Sequence, residues 1–340
     1  MKVLIAGLGS IGRRHLRNLQ ALGVRDIVLY RTYQSSLPDD ELRHFPQETD
    51  LATALDHHPD AVIISNPTAL HLEVAIAAAQ RGCHLLIEKP ISHTLERVEE
   101  LQKLVEQNCC RVLIGYHFRF HPGLLRVKEL LHQGMIGRPT IVRARWGEYL
   151  PAWHRWEDYR RGYSARADLG GGLLLTLSHP LDYLRWLLGD VSRVFAAVEK
   201  LSDLEIQVED TAEICLWFAN GCLGSVHLDY LQRPPQHNLQ IIGSLGTVEW
   251  EYASGETRLY RFDQESTTQA PLQFFPSFSP LDPNKPLERN DLFLAEMKHF
   301  LDVVAGREMP VCSLEDGIAA LRIALTAYRA ARMEQVVTVE

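Results

Sequence analysis

The stretch MKVLIAGLGSIG, residues 1–12, decides the fold predicted for this chain. Val3–Ala6 is a short apolar run, typical of a buried parallel strand. Gly7, Gly9 and Gly12 follow in a G-x-G-x-x-G pattern. In such a pattern the first glycine permits a tight turn, the second lets the main chain approach a pyrophosphate, and the third allows close helix packing. Between a strand and a helix the pattern predicts a dinucleotide site; the alternative is a structural turn.

The segment after these glycines is predicted to be a helix. Leu16, Leu19 and Leu22 recur at helical spacing, and Gly23 is a stop signal. The N-terminus of this helix would offer free N–H groups and a partial positive charge to the phosphates of a dinucleotide.

Length, charge and cysteine content limit the class of protein. A chain of 340 residues favours two domains, and a net charge of -8 argues against nucleic acid as a partner. No apolar run reaches membrane-spanning length and the chain starts directly in a strand, so a cytoplasmic protein without a membrane partner is expected. Neither C-x-x-C nor metal-ligand spacing occurs, so we expect free thiols and no metal at Cys83, Cys109, Cys110, Cys215, Cys222 and Cys312.

Strands and helices alternate through residues 1–120, which predicts a doubly wound parallel sheet, an NAD(P)-binding Rossmann domain. After the first strand, the predicted strands are Asp26–Tyr30, Asp60–Ser65, Cys83–Ile87 and Arg111–Tyr116. Open α/β sheets bind ligands at the carboxyl ends of their strands, where Asn66-Pro67-Thr68 and Glu88-Lys89-Pro90 are expected.

The end of the second strand bears on the choice of coenzyme. NAD sites carry a carboxylate there, but this chain has Arg31 and Thr32, and no acidic residue before Asp39. An arginine can pair with a 2′-phosphate, with Ser35 or Ser36 also donating, so NADP is favoured over NAD. The alternative is a solvated loop arginine.

Residues 121–340 have a different pattern, which predicts an α+β domain for substrate binding and oligomerisation. Alternating segments with few intervening helices indicate a large, open, mostly antiparallel sheet: Thr140–Tyr149, Val191–Lys200, Thr211–Phe218, Leu223–Leu231, Asn238–Ile242, Thr247–Tyr252 and Arg258–Phe262. One helix is predicted over Gly172–Leu188. We expect Trp217, Tyr230 and Trp250 on the uncovered face, which would then form a homodimer or homotetramer.

Four motifs together resemble the glucose–fructose oxidoreductase/inositol dehydrogenase (Gfo/Idh/MocA) family: GLGSIG, SNPTALH, EKP and a GGG-led helix containing a histidine. The resemblance covers nearly the whole chain. It implies a Rossmann domain followed by an α/β domain with one open sheet. It also implies that Lys89 assists catalysis and that Pro90 follows a cis peptide bond.

Lys89 is the first catalytic candidate. An ammonium beside the nicotinamide can bind a substrate hydroxyl, stabilise a developing alkoxide and take part in proton transfer. Glu88 is expected to orient Lys89 or to contact the coenzyme. The alternative is a surface lysine before a proline.

His179 is the second catalytic candidate, because a neutral imidazole can accept the hydroxyl proton as hydride leaves carbon. A histidine in an apolar helix is more often structural. The family pattern also has an aspartate in the turn before this histidine, and Thr176 stands roughly at that place. Asp182, one turn later, is expected to cap the helix or pair with Arg185; the alternative is that it substitutes spatially for this aspartate.

The remaining site residues are expected in two groups. Those predicted to bind coenzyme are Gly7, Gly9, Ser10, Ile11, Gly12, Arg31, Thr32, Ser65, Asn66, Pro67, His71, Glu88 and Lys89. Those predicted to bind substrate are Tyr116, His117, Arg119, Trp153, His154, Tyr163 and His179. Aromatic faces stack on sugar C–H surfaces, and the aromatic segment before the glycines, which includes Trp156, favours a polyhydroxylated substrate. The alternative is a loop whose aromatics fill a small core.

The sequence thus predicts an NAD(P)-dependent oxidoreductase that transfers a hydride between nicotinamide and a secondary alcohol or ketone of a sugar, sugar derivative or cyclitol. One alternative is a dinucleotide- and sugar-sensing regulator without turnover, which the loss of an acidic partner at Thr176 keeps open. Another is a reductase of a non-sugar substrate, which would need a flat apolar pocket.

Overall fold

The computed structural model describes residues 1–32, 37–154, 157–263, 268–269 and 272–340. The chain divides into two compact units. The first comprises Met1–Tyr116, Asp168–Gly171 and Phe293–Leu321, and the second comprises His117–Ala167, Gly172–Leu292 and Arg322–Glu340. Both units therefore use segments that are distant in sequence.

The first unit contains six strands and four helices from the N-terminal part of the chain. The strands are β1 Lys2–Ala6, β2 Asp26–Tyr30, β3 Gln47–Glu48, β4 Ala61–Ile64, β5 His84–Glu88 and β6 Val112–Gly115. The helices are α1 Ser10–Ala21, α2 Leu51–Leu55, α3 His71–Gln80 and α4 Val98–Gln107. All paired strands run parallel, in the order β3-β2-β1-β4-β5-β6.

The central strands of this sheet are apolar on both faces, which explains their parallel pairing under helices. Val3 pairs with Ile27 of β2 and with Ala61 of β4, and the residues from Val3 to Ala6 are fully buried. The doubly wound parallel sheet predicted from the alternating pattern is confirmed. The order of its strands brings the ends of β1, β4 and β5 side by side.

The second unit is built on a ten-stranded sheet. Its elements are α5 Pro122–His132, β7 Pro139–Gly147, α6 Leu173–Thr176, α7 His179–Leu188, β8 Val191–Glu199, β9 Thr211–Phe218, β10 Leu223–Asp229, β11 Gln236–Gly243, β12 Gly246–Glu251, β13 Glu256–Asp263, β14 Thr268–Gln269, β15 Gln273–Phe275 and β16 Val337–Thr338. Two further helices, α8 Arg289–Val304 and α9 Leu314–Met333, contribute residues to both units.

This sheet is mixed rather than purely antiparallel. Its order is β14-β13-β12-β11-β7-β10-β9-β8-β16, with β15 paired to β13, and β7 runs parallel to β10 with Ile141 opposite Leu223. The other strand pairs are antiparallel. The mostly antiparallel sheet expected from the sequence is confirmed.

The expectation for the uncovered face of this sheet needs a correction. Trp217 has the partly exposed, outward orientation expected of it, whereas Tyr230 and Trp250 are buried in the core of the unit. Trp250 alternates with outward-facing residues of β12, so its side chain lies on the covered face. Period-two alternation identifies two faces but does not say which one is buried.

The single helix predicted over Gly172–Leu188 is wrong, because the segment forms two helices. Leu177 and Ser178 separate α6 from α7. Pro180 lies in the first turn of α7 and has no N–H to bond to the carbonyl of Thr176, so a continuous helix loses that bond and a second helix begins. His179 therefore lies at the start of a helix.

Among the described residues, no helix is both long enough and apolar enough to cross a membrane.

Candidate functional site

The glycine motif forms a tight cradle between β1 and α1. Gly7 has a φ of +93°, and a Cβ atom there would lie 2.4 Å from the main-chain nitrogen of Asn66. A Cβ atom at Gly12 would lie 1.9 Å from the carbonyl oxygen of Gly7. Gly9 has open space on its Cβ side and is followed by the first turn of α1, which contains no acidic residue. This backbone geometry fits the pyrophosphate of a dinucleotide.

The turn after β4 packs directly against this cradle. The hydroxyl of Ser65 donates to the carbonyl oxygen of Gly7 at 2.9 Å, and Nδ2 of Asn66 donates to the carbonyl of Leu70 at 3.3 Å. Because β1 and β4 are neighbours, the glycine loop and the turn through Pro67 lie at one edge of the sheet, as expected for a ligand-binding edge.

Glu88 ends β5 as a buried carboxylate linked to the glycine-loop helix. Its Oε1 lies 2.8 Å from Nε2 of His15, a fully buried residue of α1. Its Oε2 accepts a hydrogen bond from the main-chain N–H of Lys89 at 3.3 Å. Gly115 leaves room for the Glu88 carboxylate, because a Cβ atom at position 115 would lie 3.2 Å from Oε2 of Glu88. Burial raises the pKa of Glu88, but the hydrogen bond from His15 and nearby positive charges outweigh it and hold the pKa below its usual value.

Lys89 follows Glu88 at the end of the strand, and the Lys89–Pro90 peptide bond is cis, as the family resemblance implied. The main chain of Lys89 thus lies beside the Glu88 carboxylate, at the sheet edge that also carries the glycine cradle.

His71 holds two of these loops together. Its Nδ1 lies 2.9 Å from the carbonyl oxygen of Pro90, and its Nε2 lies 2.9 Å from the carbonyl oxygen of Asn66. The ring is buried, and this burial lowers the pKa of His71 despite the two carbonyl oxygens and Glu88. Both ring nitrogens face main-chain oxygens, so the imidazole supports the coenzyme loops.

Glu296 of α8 is a second buried acid in this unit, which the sequence pattern did not reveal. It is fully buried, and within the described part of the chain neither carboxyl oxygen has a hydrogen-bond partner. Burial and the charge of Glu88 raise the pKa of Glu296 well above its usual value. The surroundings of Glu296 therefore favour its protonated form, whereas those of Glu88 favour its ionised form.

Arg31 has a partner that the sequence did not predict. Its Nη1 lies 2.9 Å from Oδ1 of Asp39, and its side chain is 4% exposed. Thr32 is exposed. Ser35 and Ser36, predicted to donate hydroxyls here, lie outside the described residues, as does Trp156.

In the second unit, His179 lies within a cluster of aromatic rings. Its ring centroid is 4.5 Å from that of His117, 4.8 Å from that of Phe118 and 5.3 Å from that of Trp146. Both histidines are nearly buried. The structure therefore brings together two of the predicted substrate residues, at the start of α7.

Arg119 is engaged in a buried ion pair. Its Nη2 lies 2.6 Å from Oδ1 of Asp182 and its Nε lies 3.0 Å from Oδ2, with both side chains 2% exposed. Asp182 is expected from the sequence to cap the helix or to pair with Arg185; in the structure it holds Arg119, and Nε of Arg185 lies 2.8 Å from Oδ1 of Asp190. Helical spacing favours a local partner for Asp182, whereas the guanidinium that contacts both of its oxygens comes from a distant segment.

The other predicted substrate residues have different environments. Tyr116 is fully buried in the first unit, whereas Tyr163 is exposed in the second. The ring of Trp153 packs edge-on against buried Tyr230 at 5.4 Å, which fits the alternative that some of these aromatics fill a core. His154 lies 3.7 Å from Glu157.

Thr176 stands in the sequence roughly where the family pattern has its aspartate, and Glu209 contacts the helix that carries it. Thr176 is buried at the end of α6. Glu209 accepts the main-chain N–H of Leu174 at 3.2 Å and the hydroxyl of Tyr328, so it anchors the N-terminus of α6. Sequence reasoning missed Glu209, which lies far from α6 in the chain.

The described residues contain no group of three histidine, cysteine, aspartate or glutamate side chains arranged to hold a metal ion.

Models of two known domain families match this chain. An oxidoreductase family with an NAD-binding Rossmann fold matches residues 1–116, and the GFO/IDH/MocA C-terminal domain matches residues 124–249. Over 357 aligned positions the chain is 28% identical to myo-inositol 2-dehydrogenase of Thermotoga maritima, covering 100% of this chain and 99% of that protein.

Two solved structures share the fold. A levoglucosan dehydrogenase in complex with NADH has a TM-score of 0.88 at 21% identity, covering 100% of this chain and 99% of that one. The WlbA dehydrogenase of Bordetella pertussis, in complex with NADH and UDP-GlcNAcA, has a TM-score of 0.80 at 21% identity and the same coverage. Together with the glycine cradle and the Glu88-Lys89-Pro90 turn, these matches establish that the chain belongs to the GFO/IDH/MocA family of oxidoreductases with an NAD-binding Rossmann fold.

Proposed function

We propose that this protein transfers a hydride between a nicotinamide coenzyme and a secondary alcohol or ketone of a sugar, sugar derivative or cyclitol. The observation that carries the proposal is the link from α1 through His15 to Glu88, the residue before Lys89. This link ties the main chain at Lys89 to the helix of the glycine motif. The full-length similarity to an inositol dehydrogenase supports the reaction class.

Lys89 is proposed to bind the substrate oxygen. The bound nicotinamide supplies the hydride chemistry. During oxidation the substrate oxygen gains negative charge as its proton leaves, and an ammonium hydrogen-bonded to it stabilises that charge. Glu88 keeps the main chain of Lys89 in place through its hydrogen bond.

His179 is proposed to accept the hydroxyl proton during oxidation and to return it during reduction. The aromatic rings around it restrict its orientation. Because Arg119 and Asp182 are paired with each other, we assign to Arg119 a structural contribution beside its predicted contact with substrate.

The coenzyme residues predicted from the sequence fit the observed cradle. Gly7, Gly9, Gly12 and Ser65 form it, while His71 contacts the neighbouring turns and Glu88 contacts α1. We therefore keep residues 1–120 as the coenzyme domain and residues 121–340 as the domain for substrate and oligomerisation.

The substrate class is proposed from the relatives and from the aromatic segment. Two of the relatives are named as a dehydrogenase of a cyclitol and a dehydrogenase of an anhydro sugar. Each of these two compounds carries several secondary hydroxyls. Such substrates present both C–H faces and hydroxyls, which aromatic and imidazole side chains bind.

A homodimer or homotetramer through the uncovered sheet face is also proposed. Phe195, Leu223 and Ile141 are exposed large apolar residues on that face, next to Trp217 and Cys215. Such a patch is typical of a protein contact. The cytoplasmic location stays a prediction.

The proposed function is tested with a panel of cyclitols, anhydro sugars and nucleotide sugars, each incubated with NAD⁺ or NADP⁺ while nicotinamide absorbance is followed. Turnover with one substrate at a kcat/KM of about 10⁴ M⁻¹s⁻¹ or more supports it. Tight coenzyme binding without hydride transfer to any polyol in the panel would instead favour a sensing regulator. Turnover confined to non-sugar ketones or imines would favour the reductase alternative.

A further inference from the structure

An ion pair at the end of β2 joins Arg31 to Asp39, which lies eight positions later in the chain. Arg31 directly follows the strand, at the place where Rossmann sites recognise the substituent on the adenosine ribose. Its guanidinium is nearly buried, and its Nη1 lies 2.9 Å from Asp39 and 3.5 Å from Oε1 of Gln47. The positive charge at this position is thus already paired with a carboxylate.

A second arginine holds the same carboxylate. Nη2 of Arg13, in the first turn of α1, lies 3.3 Å from Oδ1 of Asp39. Nε of Arg13 donates to the carbonyl of Leu8 at 3.0 Å, and its Nη2 donates to the carbonyl of Leu37 at 3.2 Å. Arg13 therefore ties the glycine loop to the segment that carries Asp39, and its side chain is 3% exposed.

Asp39 itself is presented toward solvent. Its side chain is 43% exposed although Oδ1 receives both arginines. The hydrogen bond from Arg31 lowers the pKa of Asp39, so the carboxylate is ionised at neutral pH. A fixed, ionised and accessible carboxylate beside the end of β2 has the chemistry that accepts a hydrogen bond from a ribose hydroxyl.

We propose that Asp39, held by Arg31 and Arg13, selects NAD over NADP by accepting the 2′-hydroxyl of the adenosine ribose. This inference rests on the proposed function, since it concerns the coenzyme of that reaction. It replaces the preference for NADP that Arg31 suggested in the sequence. In the structure, the two guanidinium groups orient the carboxylate, and a 2′-phosphate would meet negative charge.

The carboxylate comes from an unusual position. Rossmann NAD sites carry it at the end of the second strand, whereas here it arrives later in the chain and depends on two arginines for its place. Removing Asp39 would therefore do more than remove a hydroxyl acceptor. It would also remove the counter-charge of Arg31 and one of the carboxylate partners of Arg13, leaving positive charge that can bind a phosphate.

The test measures binding of NADH and NADPH to the full-length protein by calorimetry, without substrate. We expect the unmodified protein to prefer NADH by roughly tenfold or more, and Asp39→Asn to lose at least about tenfold of that ratio, mainly by gaining affinity for NADPH. Glu41→Gln is the matched control, because Glu41 contacts Arg13 at 3.0 Å and Arg17 at 2.9 Å. It should change the ratio less than about threefold.

A second measurement needs no variant. NADH lacking the adenosine 2′-hydroxyl should bind the unmodified protein roughly tenfold more weakly than NADH. A preference of the unmodified protein for NADPH, an unchanged ratio in Asp39→Asn, or equal affinity for the 2′-deoxy analogue would each overturn the proposal. The proposed function fails differently: neither dinucleotide would bind, or both would bind without any hydride transfer.

Discussion

Nε2 of His15 lies 2.8 Å from Oε1 of Glu88, and this buried contact joins the helix of the glycine motif to the strand that ends before Lys89. The two residues are separated by 73 positions in the chain. The glycine loop before α1 and the Glu88-Lys89 turn at the end of β5 are therefore joined by one buried contact.

Replacing Glu88 with glutamine should destabilise the protein in a pH-dependent way. The folded-state pKa of Glu88 is depressed, so its stabilising contribution is present above the unfolded pKa of about 4.3 and is lost as pH falls through the lower folded pKa. We expect a loss of about 1–3 kcal/mol at pH 7. Urea denaturation at pH 7 and at pH 4 measures it, with Glu100→Gln as an exposed control. Equal stability of Glu88→Gln and the unmodified protein at pH 7 would contradict the prediction.

Glu296 should show the opposite pH dependence. Its folded-state pKa is raised, so the folded protein retains a proton that the unfolded chain releases above about pH 4.3, and stability falls as pH rises from there. Glu296→Gln keeps the shape and removes the ionisation. We expect this variant to gain stability relative to the unmodified protein as pH rises from 5 to 8. Glu315→Gln, at an exposed position of α9, is the control. Parallel stability curves for Glu296→Gln and the unmodified protein would show that Glu296 is not held neutral.

Lys89→Met should lower kcat by roughly a hundredfold or more, because the developing charge on the substrate oxygen loses its hydrogen-bonding cation. Coenzyme affinity should change by less than about tenfold, since the glycine cradle is intact. Steady-state kinetics and NADH titration measure the two effects, with Lys103→Met at an exposed position of α4 as the control. Full activity in Lys89→Met would remove Lys89 from the mechanism.

The Arg119–Asp182 pair should be sensitive to the loss of one partner. Asp182→Asn leaves a guanidinium buried without its counter-charge, which costs about 3–5 kcal/mol. The double variant Arg119→Met with Asp182→Leu removes both charges and should recover most of that loss. Glu129→Gln breaks the exposed pair with Arg126 and should have a much smaller effect. Chemical denaturation measures the free energy of unfolding of each variant. A double variant no more stable than Asp182→Asn would contradict the prediction and point to a packing defect.

Pro180 shows how far local sequence rules reach. Apolar spacing predicted one helix over Gly172–Leu188, and the missing N–H of the proline was sufficient to predict the break that the structure shows. A signal for His15 was also present, because His15 lies on the buried stripe of α1 among leucines. A polar residue on such a stripe needs a partner, but the sequence does not say which one.

The sequence by itself determined the Rossmann unit, the open sheet, the glycine cradle and the position of Lys89, because strand periodicity, turn residues and glycine sterics are local properties of the chain. Only the tertiary structure decided that Arg31 pairs with Asp39, Glu88 with His15 and Arg119 with Asp182. A charged side chain can select among many partners of opposite charge, and the choice follows from which segments the whole fold brings within hydrogen-bonding distance.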